Sequence, residues 1–422
     1  MKLALAHPGV GPFVQQTARA LLEAELLASY WTTFADQPDA SWRTTLVRVA
    51  TAVGIDMNRE LERRAVKEVP ANLLRTLPYW ELARTLLTRI GVDPRLVDIV
   101  WEQETLRFDS RVARRGLKGV DGIYGYEFSA LASFREAQRR GLARVYEVPS
   151  PAHGFVQSLI QREIERFPEL DDGKRKYFLA RQARRTERQQ QEWALADVVI
   201  ANSTFTRNSY AAAGLDVSKV RIVPLGAPPI NEARHERGND KSGPLRVLWV
   251  GTFSIRKGAH YLLSAWRRIV PSNSAILNVF GANELPRKLT SDLPASVHLS
   301  ATVPKSILAE HYRAADVLVF PTLCDGFGLV VTEAFAHGLP VITTSQAGAA
   351  DFVRHGENGL IIPAGDASAI AEALQWCLSH RVELKAMRRA ALETAKRMQW
   401  SDFRQALARH VIDGLRDAGY SA

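Results

Sequence analysis

The chain has 422 residues, 46% of them apolar, a formal net charge of +10 and only two cysteines. That length exceeds what one ordinary core holds and supplies apolar material for two domains of roughly 200 residues each, with a cleft between them. Cys324 and Cys377 stand far apart in no metal or thioredoxin spacing, which argues against a disulfide framework or structural zinc site and points to a reducing compartment.

The opening Met1-Lys2-Leu3-Ala4-Leu5-Ala6 stops at His7-Pro8-Gly9, too short an apolar run for a signal peptide, and suits a buried first strand. A helix over 13–27 and a strand over 30–34 follow, and their alternation predicts parallel strand–helix–strand units. From 41 to 118 the pattern turns almost wholly helical, an elaboration of the first domain, before a strand at 120–124. Strands at 145–148, 198–201 and 220–223 complete the first half. Residues 226–244 are rich in Gly, Pro, Asn, Asp and Arg without apolar periodicity and read as a linker between domains over 1–225 and 245–398. Strands resume at 245–250, 276–280, 297–299, 317–320, 340–343 and 360–362, with a helix between most of them. The fold class is therefore α/β, two doubly wound domains whose ligands sit beyond the carboxyl ends of the strands. Residues 399–422 read as a closing helix that packs back on the first domain, with Ser401 as its N-cap. No apolar run reaches the ~18 residues of a membrane span, so a soluble or peripheral protein is expected.

The densest basic stretch holds Lys174, Arg175, Lys176, Arg181, Arg184, Arg185 and Arg188 against a lone Glu187. It allows contact with anionic lipid or a phosphorylated partner, but no apolar stripe accompanies it, so the solvated face of a long helix is the preferred reading. Neither half of the chain is a dedicated polycation, and no nucleic-acid partner is expected.

The strongest chemical signal runs from Phe320 through Pro321-Thr322-Leu323-Cys324-Asp325-Gly326-Phe327-Gly328-Leu329-Val330-Val331-Thr332-Glu333 to Ile342. A buried strand enters a glycine-bearing turn and then a helix opening near Phe327. Gly326 and Gly328 let backbone approach a ligand, and the helix start offers N–H groups to an anion such as a diphosphate. Asp325 and Glu333 lie about two helical turns apart and can face one crevice as hydrogen-bond acceptors. A second run, Gly251-Thr252-Phe253-Ser254-Ile255-Arg256-Lys257-Gly258, also joins a strand to a helix and presents two cations. Taken alone, Arg256-Lys257 reads more often as an exposed helix start. In the first half, His7-Pro8-Gly9-Val10-Gly11 and Pro149-Ser150-Pro151-Ala152-His153-Gly154 each follow a strand. A mere strand-to-helix turn and an incidental loop histidine are their bland readings.

The Asp325-to-Glu333 segment resembles the signature of the retaining family-4 glycosyltransferases of the GT-B fold, two acidic residues eight positions apart around Gly-Phe-Gly-Leu. Val303-Pro304, Tyr312-Arg313-Ala314-Ala315-Asp316, Gly348 and Asn358-Gly359-Leu360 fall in order where that family has similar residues. The resemblance is close over the second domain and scattered over the first. It implies two Rossmann-like domains facing across a cleft, the second holding a nucleotide-diphosphate sugar and the first, with its helical elaboration, choosing the acceptor. Glu333 would hold the ribose, Lys257 and Arg256 the diphosphate, and Asp325 the transferred sugar. Phe327, Gly328, Leu329, Gly251, Val303 and Gly11 would line the donor site, and His153 would face the sugar. The family commonly has arginine where this chain has Thr252, and Arg256 is expected to substitute for it. Retention, independence of metal and the absence of any cofactor beyond the donor follow from the resemblance as expectations. So do a sugar, lipid-linked or small-molecule acceptor, a role in polysaccharide, glycolipid or glycoconjugate synthesis, and a cytoplasmic location, with peripheral contact at the inner membrane face left open. An inert nucleotide-sugar-binding scaffold and an epimerase or phosphorylase of the same fold are the alternatives. Base, sugar, acceptor and oligomeric state stay open.

Overall fold

Parallel strands covered on both faces must be apolar along their length, and the strand runs of this chain meet that demand. The computed structural model describes residues 1–36, 61, 64–77, 81, 92–171, 173, 175–230, 243–269 and 274–421. Strands β1 (Leu3–Ala6), β2 (Leu27–Thr32), β3 (Leu74–Thr76), β4 (Gly122–Tyr126), β5 (Ala143–Val148), β6 (Val198–Ala201) and β7 (Val220–Ile222) form a parallel sheet in the order β3-β2-β1-β4-β5-β6-β7. Strands β8 (Leu245–Val250), β9 (Ala275–Phe280), β10 (Val297–Ser300), β11 (Val317–Phe320), β12 (Val341–Thr344) and β13 (Gly359–Ile362) form a second, in the order β10-β9-β8-β11-β12-β13. The inner strands β1, β4, β6, β11 and β12 are buried at every residue. Both sheets are doubly wound, as expected from the alternation. Their switch points fall between β1 and β4 and between β8 and β11, where crevices for ligands open.

The longer helices are α1 (Pro12–Glu23), α2 (Pro94–Arg115), α3 (Leu131–Arg139), α4 (His153–Arg166), α5 (Arg175–Leu195), α6 (Thr204–Ala212), α7 (Ala259–Ile269), α8 (Lys305–Ala314), α9 (Leu329–Ala336), α10 (Ala367–Ser379), α11 (Arg381–Lys396) and α12 (Trp400–Asp417). The chain crosses between the sheets twice, and the crossings lie side by side: Ala227 pairs with Gln399, and a Cβ on Gly226 would sit 2.7 Å from the Trp400 backbone. The expected linker lies outside the described residues from 231 to 242. Helix α12 lies against α1, where Arg404 pairs with Glu23 (2.8 Å) and donates to Gln16 (2.8 Å), and Tyr420 beyond it donates to Asp197 (3.1 Å).

Three expectations need correction. The stretch read as almost wholly helical contains β3, an edge strand so short that only Leu74 is buried while Arg75 and Thr76 face out, so no alternation betrays it; residues 41–60, 62–63, 78–80 and 82–91 of that stretch lie outside the described residues. The closing helix is capped by Gln399, whose capping box with Asp402 satisfies two backbone N–H groups, and not by Ser401. The basic stretch is a solvated face only in part: Arg184 is exposed, the side chains of Lys174, Arg175 and Lys176 lie outside the described residues, and the other three arginines are paired. Arg181 pairs with Asp98 (3.2 Å) and Glu102, Arg185 with Asp98 (2.8 Å), and Arg188 with Asp109 (3.1 Å) and Glu192 (3.2 Å). These arginines join α5 to α2, and the buried carboxylates they meet are themselves structural: Asp109 and Glu192 accept backbone N–H bonds at the start of α3.

Candidate functional site

The second sheet delivers its two switch-point loops to one place. Strand β11 ends at Phe320, and the 321–328 turn that follows is laced to the loop after β8. Leu323 N–H donates to the Arg256 carbonyl (2.9 Å), and Arg256 Nη1 returns a bond to the Cys324 carbonyl (2.9 Å). Gly258 makes this approach possible: its φ is +77°, and a Cβ there would lie 2.1 Å from the Pro321 carbonyl oxygen. In that turn the Asp325 carboxylate contacts the Lys257 ammonium, and Arg256 Nη1 stands 3.6 Å from it. Lys257 also lies over the Phe320 ring, 4.8 Å from its centroid. Burial first, and the Arg256 guanidinium second, push the Lys257 ammonium well below the usual lysine range; its contact with Asp325 opposes that fall. Arg256 and Lys257 thus both reach the Asp325 carboxylate.

Helix α9 opens at Leu329, two residues later than expected, because Gly328 occupies the left-handed region (φ 85°) as its N-cap. No side chain caps it and no acidic residue stands in its first turn, so the positive end of the helix dipole is presented to the crevice. Glu333 lies one turn in and accepts from Tyr312 Oη at 2.8 Å. Burial raises its carboxyl above the usual range, against which Tyr312 and Lys305 act. Tyr312 stacks on His337, whose Nδ1 meets the Glu333 carbonyl at 2.8 Å. Tyr312 belongs to α8, which starts one residue after Pro304, so Val303 and Glu333 flank the same helix. Gly251 follows β8 with φ 103° and packs so closely on Gly281 that a Cβ on the latter would lie 2.2 Å from its oxygen.

The first domain meets this turn directly. A Cβ on Gly326 would lie 2.0 Å from the Pro149 carbonyl oxygen, and the Gly326 carbonyl accepts from Ser203 Oγ (2.6 Å) and Thr206 Oγ1 (3.0 Å). Gly348 packs against Ser203 and Gly326, and Thr204 N–H donates to Asp351 (3.0 Å). The loop after β5 that abuts Gly326 leads into His153, so the turn that holds Asp325 and the approach to His153 are in contact. His153 opens helix α4 instead of lying in a loop. Its N–H donates to Gln189 (2.8 Å), its Nδ1 meets Thr186 Oγ1 (2.8 Å), and burial followed by Arg185 pushes it down to about 4, so the ring is neutral near pH 7. Gly11 is the N-cap of α1 with φ −56°, and a Cβ there would touch only the Phe13 ring at 3.4 Å. Its backbone does not demand glycine. His7 beside it is pushed down to about 4 by burial, with its Nδ1 held by the Gly9 backbone and its ring edge-on to Tyr126.

Two carboxyls at the first sheet's crevice escaped the sequence reading. Glu127 follows β4 at the switch point, accepts from Gln189 Nε2 (3.0 Å), and is pushed up to about 7 by burial, with Glu192 adding to the rise. Gln189 thereby ties Glu127 to the start of α4. Glu147, on β5, accepts from Tyr124 (2.6 Å) and Thr17 (3.2 Å) and is also pushed up to about 7 by burial. The position of Glu127 directly after a strand was the available signal; Glu147 is the last residue but one of β5 and gave none. Among the described residues no three His, Cys, Asp or Glu side chains come together as a metal site, and no helix is long and apolar enough to cross a membrane.

Residues 244–380 match the family model described as Glycosyl transferases group 1. A D-inositol 3-phosphate glycosyltransferase of Geodermatophilus obscurus is 31% identical over 221 residues, 47% of this chain and 49% of that protein. The capsular polysaccharide biosynthesis glycosyltransferase CapM of Staphylococcus aureus is 35% identical over 155 residues, 35% of this chain and 39% of that protein. The chain thus spans about half the length, or less, of these relatives. Among solved structures, sucrose-phosphate synthase from Thermosynechococcus elongatus superposes with a TM-score of 0.63 at 21% identity, covering 100% of both chains. Anabaena HepE in complex with UDP gives 0.62 at 15% identity, covering 98% of this chain and 100% of that one.

Proposed function

We propose, for a chain that carries a Glycosyl transferases group 1 domain and has the GT-B fold, that it transfers a sugar from a nucleotide-diphosphate donor to an acceptor hydroxyl with retention and without a metal. The observation that carries this reading is the switch-point turn of the second sheet, where Asp325, Lys257 and Arg256 meet beside the uncapped start of α9. Breaking the bond between the sugar and the diphosphate sends its electron pair to the phosphate oxygen, and the growing charge there needs cations and N–H dipoles already in place. Lys257, Arg256 and the N–H groups near Gly328 and Leu329 supply them. In this reading a diphosphate takes over Lys257 from Asp325, which frees the carboxylate for hydroxyls of the transferred sugar. Glu333, held by Tyr312, takes the ribose diol, and Val303 and Gly251 border the nucleotide.

The acceptor approaches from the first domain, between the loop that carries Gly11 and the start of α4 with His153. Its oxygen bonds to the anomeric carbon on the face that the diphosphate leaves, and its proton passes to a donor phosphate oxygen, so no protein base is required. A neutral His153 suits a hydrogen bond to the sugar rather than charge stabilisation. The backbone contact of Gly326 with Pro149 brings the domains together and excludes water from the reacting atoms. A fold neighbour that holds UDP or UDP-glucose supports a UDP-sugar as the first donor to try. A cytoplasmic setting, where such donors are made, belongs to the same proposal.

The test is turnover. Purified protein is incubated with UDP-, GDP-, ADP- and dTDP-sugars together with simple sugar, sugar-phosphate and lipid-linked acceptors, and nucleoside diphosphate and glycoside are read by mass spectrometry. One donor family should be consumed by the wild type and not by Lys257→Ala. Binding without turnover across all acceptors would instead favour the inert scaffold, and product of inverted configuration would overturn the stereochemical part.

A further inference from the structure

At the first sheet's crevice one turn holds an improbable residue. Strand β4 ends at Tyr126, and the Ser129 N–H donates back to the Tyr126 carbonyl (3.2 Å), so Phe128 stands third in a four-residue turn. Its φ is +66°, a region that suits glycine or asparagine at this position and strains a bulky side chain. Among the described residues the one other non-glycine at positive φ is Glu25. Glu25 follows α1 at an ordinary helix end, where the Leu26 N–H returns to the Leu21 carbonyl (2.7 Å). Phe128 follows a strand, and no helix end accounts for its conformation.

Helix α5 imposes that conformation. Glu192 accepts the Phe128 N–H (2.7 Å) together with those of Ala130 (3.0 Å) and Leu131 (3.1 Å). One turn earlier, Gln189 accepts the His153 N–H (2.8 Å) and donates to Glu127 (3.0 Å). One stretch of α5 therefore sets Phe128 and His153 side by side, their rings near-perpendicular with centroids 5.6 Å apart. The Phe128 ring is half-buried and, among the described residues, joins none of the apolar clusters that form the domain cores. Strained backbone persists only where the surrounding structure over-determines it, and it gathers at functional sites. Asparagine would fit this backbone better, so what the turn retains at a cost is the aromatic ring.

We propose that Phe128 is the platform on which the acceptor lies, and that the acceptor is a pyranoside stacked by its C–H face on this ring beside His153, an inference that rests on the glycosyl-transfer reading. Strand β4 pairs with β1, so Phe128 stands at the switch point by which the acceptor approaches. A pyranose carries C–H bonds of partial positive charge on its faces and hydroxyls around its rim, and the face of an aromatic ring is negative. His153 and the Gln157 amide, 3.4 Å from its Nε2, offer polar atoms to those hydroxyls. An alkyl chain would need a continuous apolar groove. The neighbouring ring, Trp101 at 6.5 Å, instead has the Arg185 guanidinium over it, 4.9 Å from its centroid.

The experiment is saturation-transfer NMR titration of the full chain, with and without UDP, using the methyl glycosides of glucose, galactose and mannose, and hexanol as the apolar comparator. It is repeated on Phe128→Asn, which relieves the backbone and removes the ring, and on Phe128→Tyr, which keeps the ring. At least one glycoside should bind the wild type, bind Phe128→Asn about tenfold more weakly, and bind Phe128→Tyr as it binds the wild type. Phe128→Asn should melt no lower than the wild type and hold UDP equally well by calorimetry. No glycoside bound in either condition, or equal affinity in Phe128→Asn, overturns the platform. Hexanol bound in preference to every glycoside assigns the ring to an alkyl acceptor and overturns the pyranoside claim. A melting temperature several degrees lower in Phe128→Asn assigns the ring to the fold and overturns the proposal as well. Failure of UDP to bind the wild type bears on the donor reading, while the titration without nucleotide still decides the platform.

Discussion

Replacing Gly326 by alanine places a methyl carbon 2.0 Å from the Pro149 carbonyl oxygen and 3.0 Å from the Ser150 Cα. A carbon resting on a carbonyl oxygen settles at about 3.3 Å, so the signature turn and the loop leading to His153 must part by about 1 Å. Gly326 does not occupy a positive φ, so the backbone itself accepts alanine and the whole effect comes from the contact between domains. Parting also stretches the bonds from Ser203 and Thr206 to the Gly326 carbonyl. Overpacking of this kind costs about 1–3 kcal/mol when it cannot relax. Here it relaxes by opening the cleft, and a misplacement of about 1 Å between reacting groups lowers turnover about a hundredfold. We expect kcat/KM to fall about a hundredfold in the Gly326→Ala variant, with far-ultraviolet circular dichroism unchanged and a larger radius of gyration by small-angle scattering. Gly243→Ala, where no described residue stands within 4 Å of the added carbon, should leave all three readouts alone. Activity within about threefold of wild type in Gly326→Ala would refute the idea that this contact sets the working geometry.

Glu333→Gln should keep the bond from Tyr312 but lose the charged acceptor for the ribose diol, weakening nucleotide binding by about 1–3 kcal/mol; unchanged affinity by calorimetry rules out that role. Glu147 is held at about 7 in the fold against an ordinary value of 4.5, so its stabilising contribution is present below about 4.5 and lost as pH rises through about 7. Moving from pH 5 to pH 8 should therefore cost the wild type about 2 kcal/mol that Glu147→Gln does not lose, read as the variant-minus-wild-type difference in urea unfolding; a pH-independent difference contradicts the burial argument. His7 and His153, both lowered to about 4, act in the opposite sense, their contribution being lost as pH falls from about 6.5 through 4, which is why the difference between variants and not the raw profile is the test. Turnover should survive excess EDTA, because Lys257, Arg256 and the start of α9 meet the leaving diphosphate; loss on chelation with recovery on Mn²⁺ or Mg²⁺ contradicts the metal-free step.

The strand runs, the doubly wound order and the turn from Phe320 to Glu333 were legible because each rests on local chemistry: unbroken apolar strands, glycine where backbone must pass, and a helix that follows. What the sequence hid depends on partners distant in the chain. Arg181, Arg185 and Arg188 look like a solvated face until Asp98, Glu102 and Asp109 of α2 are brought against them. Ser401 has the right chemistry for a cap, but the paired crossings at Ala227 and Gln399 fix where the helix begins. Glu127 and Gln189 are 62 positions apart, and only folding makes them a single support under His153. Gly326 was chosen for its nearness to a ligand, whereas its tightest neighbour is the backbone of the other domain.

The central claim is donor binding at the turn of Asp325, Lys257 and Glu333, and a thermal-shift titration tests it most directly. Wild type, Lys257→Ala and Glu333→Ala are melted with UDP-, GDP-, ADP- and dTDP-sugars and with each free diphosphate. A ligand at about a hundred times its dissociation constant stabilises the native state by about 2.7 kcal/mol. One nucleotide family should raise the wild-type melting temperature in a concentration-dependent way, and both variants should lose most of that response. No response to any family, or an equal response in the variants, would contradict the account.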